Sequence, residues 1–73
     1  MNYAKLRGKI KEVYGIQSDF AKALGLNPAT LSFKLNGNTS WKREEIELAC
    51  QLLHIPLEEA YLYFFNHKIK ISK

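Results

Sequence analysis

Three features of this sequence predict an all-α domain of five short helices. Apolar residues recur three and four apart through most of its 73 residues, the spacing that lines one side of a helix. Glycine, asparagine and proline fall between those runs, where helices stop and restart. The hydrophobic fraction is 47%, enough for one globular core and outside the composition of disordered chains. A single core without disulfide or metal staples is near its lower size limit at this length.

Asn2 offers a cap for the first helix. Tyr3, Leu6, Ile10, Val13 and Tyr14 share one stripe along it, with Lys5, Lys9, Lys11 and Glu12 on the polar side. Gly8 weakens its middle by up to about 1 kcal/mol relative to alanine, for which close packing against a neighbour is one reason, and Gly15 ends it. A second helix runs from about Gln17 to Leu24, with Phe20, Ala21 and Leu24 inward and Gln17, Ser18 and Lys22 in water. Gly25 follows where a helix end favours a residue tolerant of positive φ. Asn27 then supplies a cap side chain, and Pro28 a preset φ, for a third helix of about Pro28–Asn36 anchored by Leu31 and Leu35. Stop, turn, cap and restart within four residues make a helix-turn-helix. Ala21 lies where its two helices approach, and a larger side chain there would force them apart.

Asn36-Gly37-Asn38-Thr39-Ser40 is turn chemistry throughout. The fourth helix is predicted to begin near Trp41, capped by Thr39 or Ser40. Its core stripe is Ile46, Ala49, Cys50 and Leu53, widened by Leu48 and Leu52. Lys42 and Arg43 fall in its first turn, where the macrodipole disfavours each cation by about a few tenths of a kcal/mol. A nearby phosphate reverses that sign; without one, they are two exposed cations tolerated at small cost. Ile55-Pro56 breaks the chain, and a fifth helix is predicted over about Leu57–Phe65 with Leu57, Ala60, Tyr61 and Phe64 as its stripe. Leu62, Tyr63 and Phe65 are left over, a face suited to burial against a second copy. Residues 66–73 alternate basic and apolar around Ile69 and Ile71, either an edge strand added to a partner or a frayed basic end. The chain thus divides into a domain over 1–65 and a basic tail over 66–73.

Charge is unevenly placed. Residues 1–43 carry eight cations against Glu12 and Asp19, a net +6. Residues 44–65 carry Glu44, Glu47, Glu58 and two further glutamates with no Lys or Arg, a net −5, and residues 66–73 add +3. One basic side is what a polyanion-binding protein presents, although solvated charge on ordinary helices gives the same count.

Catalytic and cofactor chemistry is not predicted. His54 and His67 lack neighbouring ligands for a metal, Cys50 falls on a buried stripe, and the Glu44–Glu47 group has no pocket-forming partner for acid–base work. No stretch is Gly-rich enough to cradle a nucleotide. A single cysteine forms no internal disulfide and fits a reducing cytoplasm; no signal-peptide core or membrane span is expected. No cofactor, metal, small-molecule ligand or membrane partner is expected, and the chain is expected not to be an enzyme.

Gln17, Ala21, Gly25, Leu31 and Asn36-Gly37, at these spacings, resemble the helix-turn-helix of lambdoid phage repressors and Cro proteins, the XRE-type group. The likeness covers about residues 3–65 and is closest to short phage-encoded Cro-like regulators. It implies a compact five-helix lambda-repressor-like domain in the cytoplasm of a bacterial or phage-infected cell, at its nucleoid. It also implies that the third helix enters the major groove while the flanking segments hold the backbone. Carried onto this chain, the phosphate set is Gln17, Lys34, Asn36, Asn38, Lys42 and Arg43, with Lys22 a further member. Members of the group often carry Gln or Arg at the positions of Pro28, Ala29 and Phe33, and an apolar residue where Lys34 stands; this chain departs at each.

With Leu31 and Leu35 inward, a step of about 100° per residue points Ala29 and Phe33 away from the core, flanked by Thr30 and Asn36, with Ser32 and Lys34 on the shoulders. Base contacts are therefore expected from Asn27, Ala29, Thr30, Phe33 and Lys34, with Ala29, Thr30 and Phe33 against thymine methyl groups. The alternative is a Phe33 folded back onto Trp41 or the loop. The function expected is a sequence-specific double-stranded DNA-binding regulator, a Cro-like repressor. It would act as a homodimer through Leu62, Tyr63, Phe65, Ile69 and Ile71 on a pseudo-palindromic operator, and no separate oligomerisation domain is expected after residue 65. A protein-interaction module built on the same scaffold, such as an anti-repressor, is the reading of a different class, favoured by the apolar Ala29–Phe33 face.

Overall fold

Helix α1, Ala4–Tyr14, forms around the i, i+4 pair Leu6 and Ile10, both buried, in the computed structural model, which describes residues 3–65. Its cap position is Tyr3, whose ring is itself buried; Asn2 lies outside the described residues. Val13, expected in the core stripe, is exposed. The reason is that Tyr14 takes the neighbouring place, its ring 5.3 Å from that of Phe20. Gly15 ends the helix at φ 80°. Gly8 is exposed with open space where a side chain would start, so helix packing does not require glycine there.

Helices α2, Gln17–Leu24, and α3, Pro28–Leu35, follow the sequence closely. Gly25 sits in the left-handed region at φ 79°, ψ 24°. Its N–H donates to the Lys22 carbonyl at 3.0 Å and that of Leu26 to the Ala21 carbonyl at 2.9 Å, the paired bonds that close a Schellman helix end. Two residues later Asn27 Oδ1 accepts from the Ala29 N–H at 2.8 Å, a side-chain cap on the new helix. Phe20, Ala21, Leu31 and Leu35 are fully buried between the two helices and the rest of the core. Asn36 lies just past α3 rather than in it. Gly37 and Asn38 donate to Lys34 and Phe33 in the same closing pattern.

Helix α4, Arg43–Leu53, starts two residues later than expected, and neither Thr39 nor Ser40 caps it. Lys42 occupies the cap position, and its N–H donates to Glu45 Oε1 at 2.8 Å. Trp41 is drawn instead into the core. Its ring meets those of Tyr3 at 6.4 Å and Phe64 at 5.0 Å, both edge-on, a favoured aromatic geometry. Ala49, Cys50 and Leu53 are buried, and burial pushes the Cys50 thiol pKa up. His54 ends the helix with a left-handed φ of 59°, the one non-glycine residue at positive φ among those described. The Ile55 N–H donates to the Cys50 carbonyl.

The predicted fifth helix is shorter and tighter. A 3-10 turn over Leu57–Glu59 leads into α5, Ala60–Phe64. Ala60 and Phe64 are buried, whereas Leu57 and Tyr61, expected beside them, are 61% and 60% exposed. A helix this short touches the core along one i, i+4 line. With Trp41 packed on Phe64, the Leu57–Tyr61 line faces out. No strand occurs among the described residues, and no helix among them is long and apolar enough to cross a membrane.

Candidate nucleic-acid interface

The outward side of α3 is largely apolar. Phe33 is 53% exposed, so it does not fold back onto Trp41, which packs against Tyr3 and Phe64. Ala29 is exposed beside it, Thr30 and Ser32 are half-buried, and Asn27 is exposed at the start. The Oδ1 of Asn27 is engaged by the Ala29 N–H, which leaves its amide NH2 group as the outward donor.

Lys34 departs from the expectation that it contacts DNA. It is 5% exposed, and its Nζ donates to the Ser40 carbonyl at 2.7 Å and lies 3.0 Å from Glu45 Oε1. The Trp41 ring centroid is 5.8 Å away, within cation–π range. An ammonium on the shoulder of α3 would face solvent on a lone helix. Here the loop after α3 and the first turn of α4 close over it, and the loss of water is offset by a carbonyl, a carboxylate and a ring face. Glu45 feels the same cluster. Burial alone would raise its carboxyl pKa, but the Lys42 N–H bond and the charges of Lys34 and Lys42 outweigh that and hold it below the usual range.

A second cation fixes the same segment from the other side. Arg7 Nη2 on α1 donates to the Leu35 carbonyl at 3.1 Å and to Asn36 Oδ1 at 2.6 Å. A guanidinium at the last carbonyls of α3 is favourable in both charge and hydrogen bonding. The sequence counted Arg7 only as surface charge. Its partners are 28 and 29 residues away, and no local spacing marks such a contact. The Asn36 side chain keeps its NH2 group, and Asn38 is exposed while its backbone N–H is held by the Phe33 carbonyl.

The remaining candidate phosphate ligands are distributed around α3. Gln17 is half-buried in the first turn of α2, where the cap position is Ile16 and no side chain caps the N–H groups. Arg7, Ile10, Lys11, Gly15 and Gln17 line a cleft of about 220 Å3 there. Lys22 is exposed on α2, and Lys42 is exposed at the start of α4. The Arg43 side chain is 88% exposed, and its Nε meets Glu47 Oε2 at 3.2 Å; an exposed pair of this kind contributes about 0.2–1 kcal/mol and is readily exchanged. Lys34, by contrast, is not free to join these groups without breaking its cluster.

At the far end of the chain, Leu62 and Phe65 are exposed, and Tyr63 is half-buried with Lys5 Nζ 5.0 Å from its ring centroid. Ile69 and Ile71 lie outside the described residues. Among the described residues, no group of three or more His, Cys, Asp or Glu is placed to hold a metal ion.

Residues 1–67 match the family described as "Protein of unknown function (DUF739)", and the chain belongs to that family. No curated protein matches the chain.

Proposed function

We propose that this member of the family is a sequence-specific double-stranded DNA-binding regulator, similar to Cro-like repressors, that acts as a dimer without catalysing a reaction. The observation that carries the proposal is the α2–α3 unit: a capped helix held on a closed turn, with Ala29, Thr30 and Phe33 on its outward side. A large exposed aromatic on a short helix is costly in water unless something covers it, and thymine methyl groups in the major groove fit that surface. Gln17, Lys22, Asn36, Asn38, Lys42 and Arg43 would hold phosphates on either side, and the net +6 of residues 1–43 supplies the attraction. Lys34 contributes indirectly, by holding the loop that presents Asn38, Lys42 and Arg43.

Two or three phosphates neutralised by each subunit give a log K that falls with log salt at a slope of about −4 to −5 for the dimer. Selection from a random DNA library followed by titration at several salt concentrations tests this directly. Phe33→Ala should weaken binding to the selected site by about tenfold or more while changing random-sequence binding little. A slope near zero, or equal loss on both DNAs, removes the reading.

One observation favours a second reading. With Lys34 withdrawn, the outward side of α3 carries no charged side chain, unlike a surface that reads bases through Arg or Lys. A protein-interaction module would use Phe33 as an anchor on another protein. Such a module predicts no selected DNA sequence at any salt.

A further inference from the structure

The region from Leu57 to Phe65 exposes more apolar surface than a five-residue helix needs. Leu57, Tyr61, Leu62 and Phe65 are each more than a third exposed. Leu57 also lines a groove of about 580 Å3 beside α4, together with Leu48 and Ile55 on its apolar part and Glu44, Glu47 and Gln51 on its polar part. Glu47 is shared with Arg43, but residues 44–65 as a whole hold five carboxylates and no Lys or Arg. Two copies meeting through this region alone would bring like charge against like charge. Residues 66–73 supply the opposite: Lys68, Lys70 and Lys73 interleaved with Ile69 and Ile71. In an extended segment that alternation puts the two isoleucines on one side and Lys68 and Lys70 on the other, matching an apolar groove with acidic edges.

We propose that this groove receives residues 66–73 of a second copy of the chain, reciprocally in a two-fold dimer. Eight extended residues span at most about 29 Å. Tyr61 and Phe65 are exposed outside the groove lining, so filling the groove alone does not account for them. A second copy covers both the groove and those rings while bringing lysines to the carboxylates, an isologous contact. The inference deepens the dimer part of the reading above and needs no DNA.

Charge exchange in the full chain, measured by sedimentation equilibrium without DNA, tests it. Wild-type protein should dimerise, and the dimer should weaken as salt rises. Lys68→Glu with Lys70→Glu, and separately Glu44→Lys with Glu47→Lys, should each weaken the dimer by about tenfold or more. All four substitutions together should restore it to within about threefold, a recovery that loss of folding does not mimic. Circular dichroism of each variant checks that the helices remain. A monomer at every concentration, no recovery in the combined protein, or thermal stability that follows the exchange with no change in mass would each overturn the inference. A dimer indifferent to the exchange overturns the groove but leaves DNA binding standing; failure to bind DNA leaves the groove standing.

Discussion

The α2–α3 unit and the region from Trp41 to Phe64 are both made of short helices joined by turns, yet their ends are made differently. In the first, the junction between the helices is local, and only the far end of α3 draws on a distant residue, Arg7: Gly25 takes the left-handed turn, Asn27 caps through its own side chain, and Pro28 presets the next helix. In the second, the start of α4 depends on a lysine from α3 and a glutamate one turn in. Its end is a histidine in the left-handed region, and Trp41 is fixed by rings from α1 and α5. Elements with self-contained ends are positioned by their own chemistry. Elements whose ends are supplied by distant residues exist only within the packed molecule.

The largest test of that difference is Lys34. Lys34→Met keeps the apolar stem but leaves Glu45 partly buried without its cation and the Ser40 carbonyl without its donor. A stability loss of about 2–3 kcal/mol is expected, below the range for fully buried pairs because Glu45 retains some solvent access. Urea denaturation followed by Trp41 fluorescence measures it, since the ammonium lies against that ring. A loss under about 0.5 kcal/mol, as expected for a surface substitution, would mean that α4 starts without help from α3.

Two of the left-handed helix ends, at Gly25 and His54, give a smaller contrast with opposite signs. Gly25→Val places a branched side chain at φ 79° and should cost about 1–2 kcal/mol. His54→Gly relieves the same conformation at the end of α4 and should gain a few tenths to about 1 kcal/mol. Thermal melts at neutral pH compare them. Should His54→Gly destabilise instead, its side chain holds the helix end in a way that the backbone geometry does not show.

The smallest effect is the acid response of Glu45. Its folded pKa is held below the ordinary glutamate value by the Lys42 N–H bond and the Lys34 ammonium, so the unfolded chain binds the proton more readily. Its stabilising contribution is therefore complete above about pH 4.5 and is lost as pH falls through the lowered folded value. Stability curves of wild type and Glu45→Gln from pH 6 to 3 should converge toward the acid end. Parallel curves would show that this carboxylate is not the group responding.

The same division explains what was legible in the candidate site. The exposed Phe33, the Asn27 cap and the turn at Gly25 all follow from residues within eight positions of one another, so periodicity and capping chemistry reached them. Helical geometry alone places Lys34 on the shoulder of α3, as an outward cation. Its burial is set by a loop and a helix that the local pattern does not contain. Arg7 was invisible as a cap on α3 for the same reason. The late start of α4 and the outward Leu57 and Tyr61 have a shared cause, since Trp41 fills the space beside Phe64 that a longer helical stripe would have used.

What the sequence alone determined was the all-helical class, the span of α2, the start of α3 and the apolar character of the outward face of α3. These are properties of short stretches, governed by side-chain periodicity, φ tolerance and single capping bonds. Only the tertiary structure decided which cations face solvent, where α4 begins and which side of residues 57–65 is left uncovered. Each of these outcomes weighs the loss of water around a charge or a ring against partners brought together from distant parts of the chain, and that balance exists only once the core has formed.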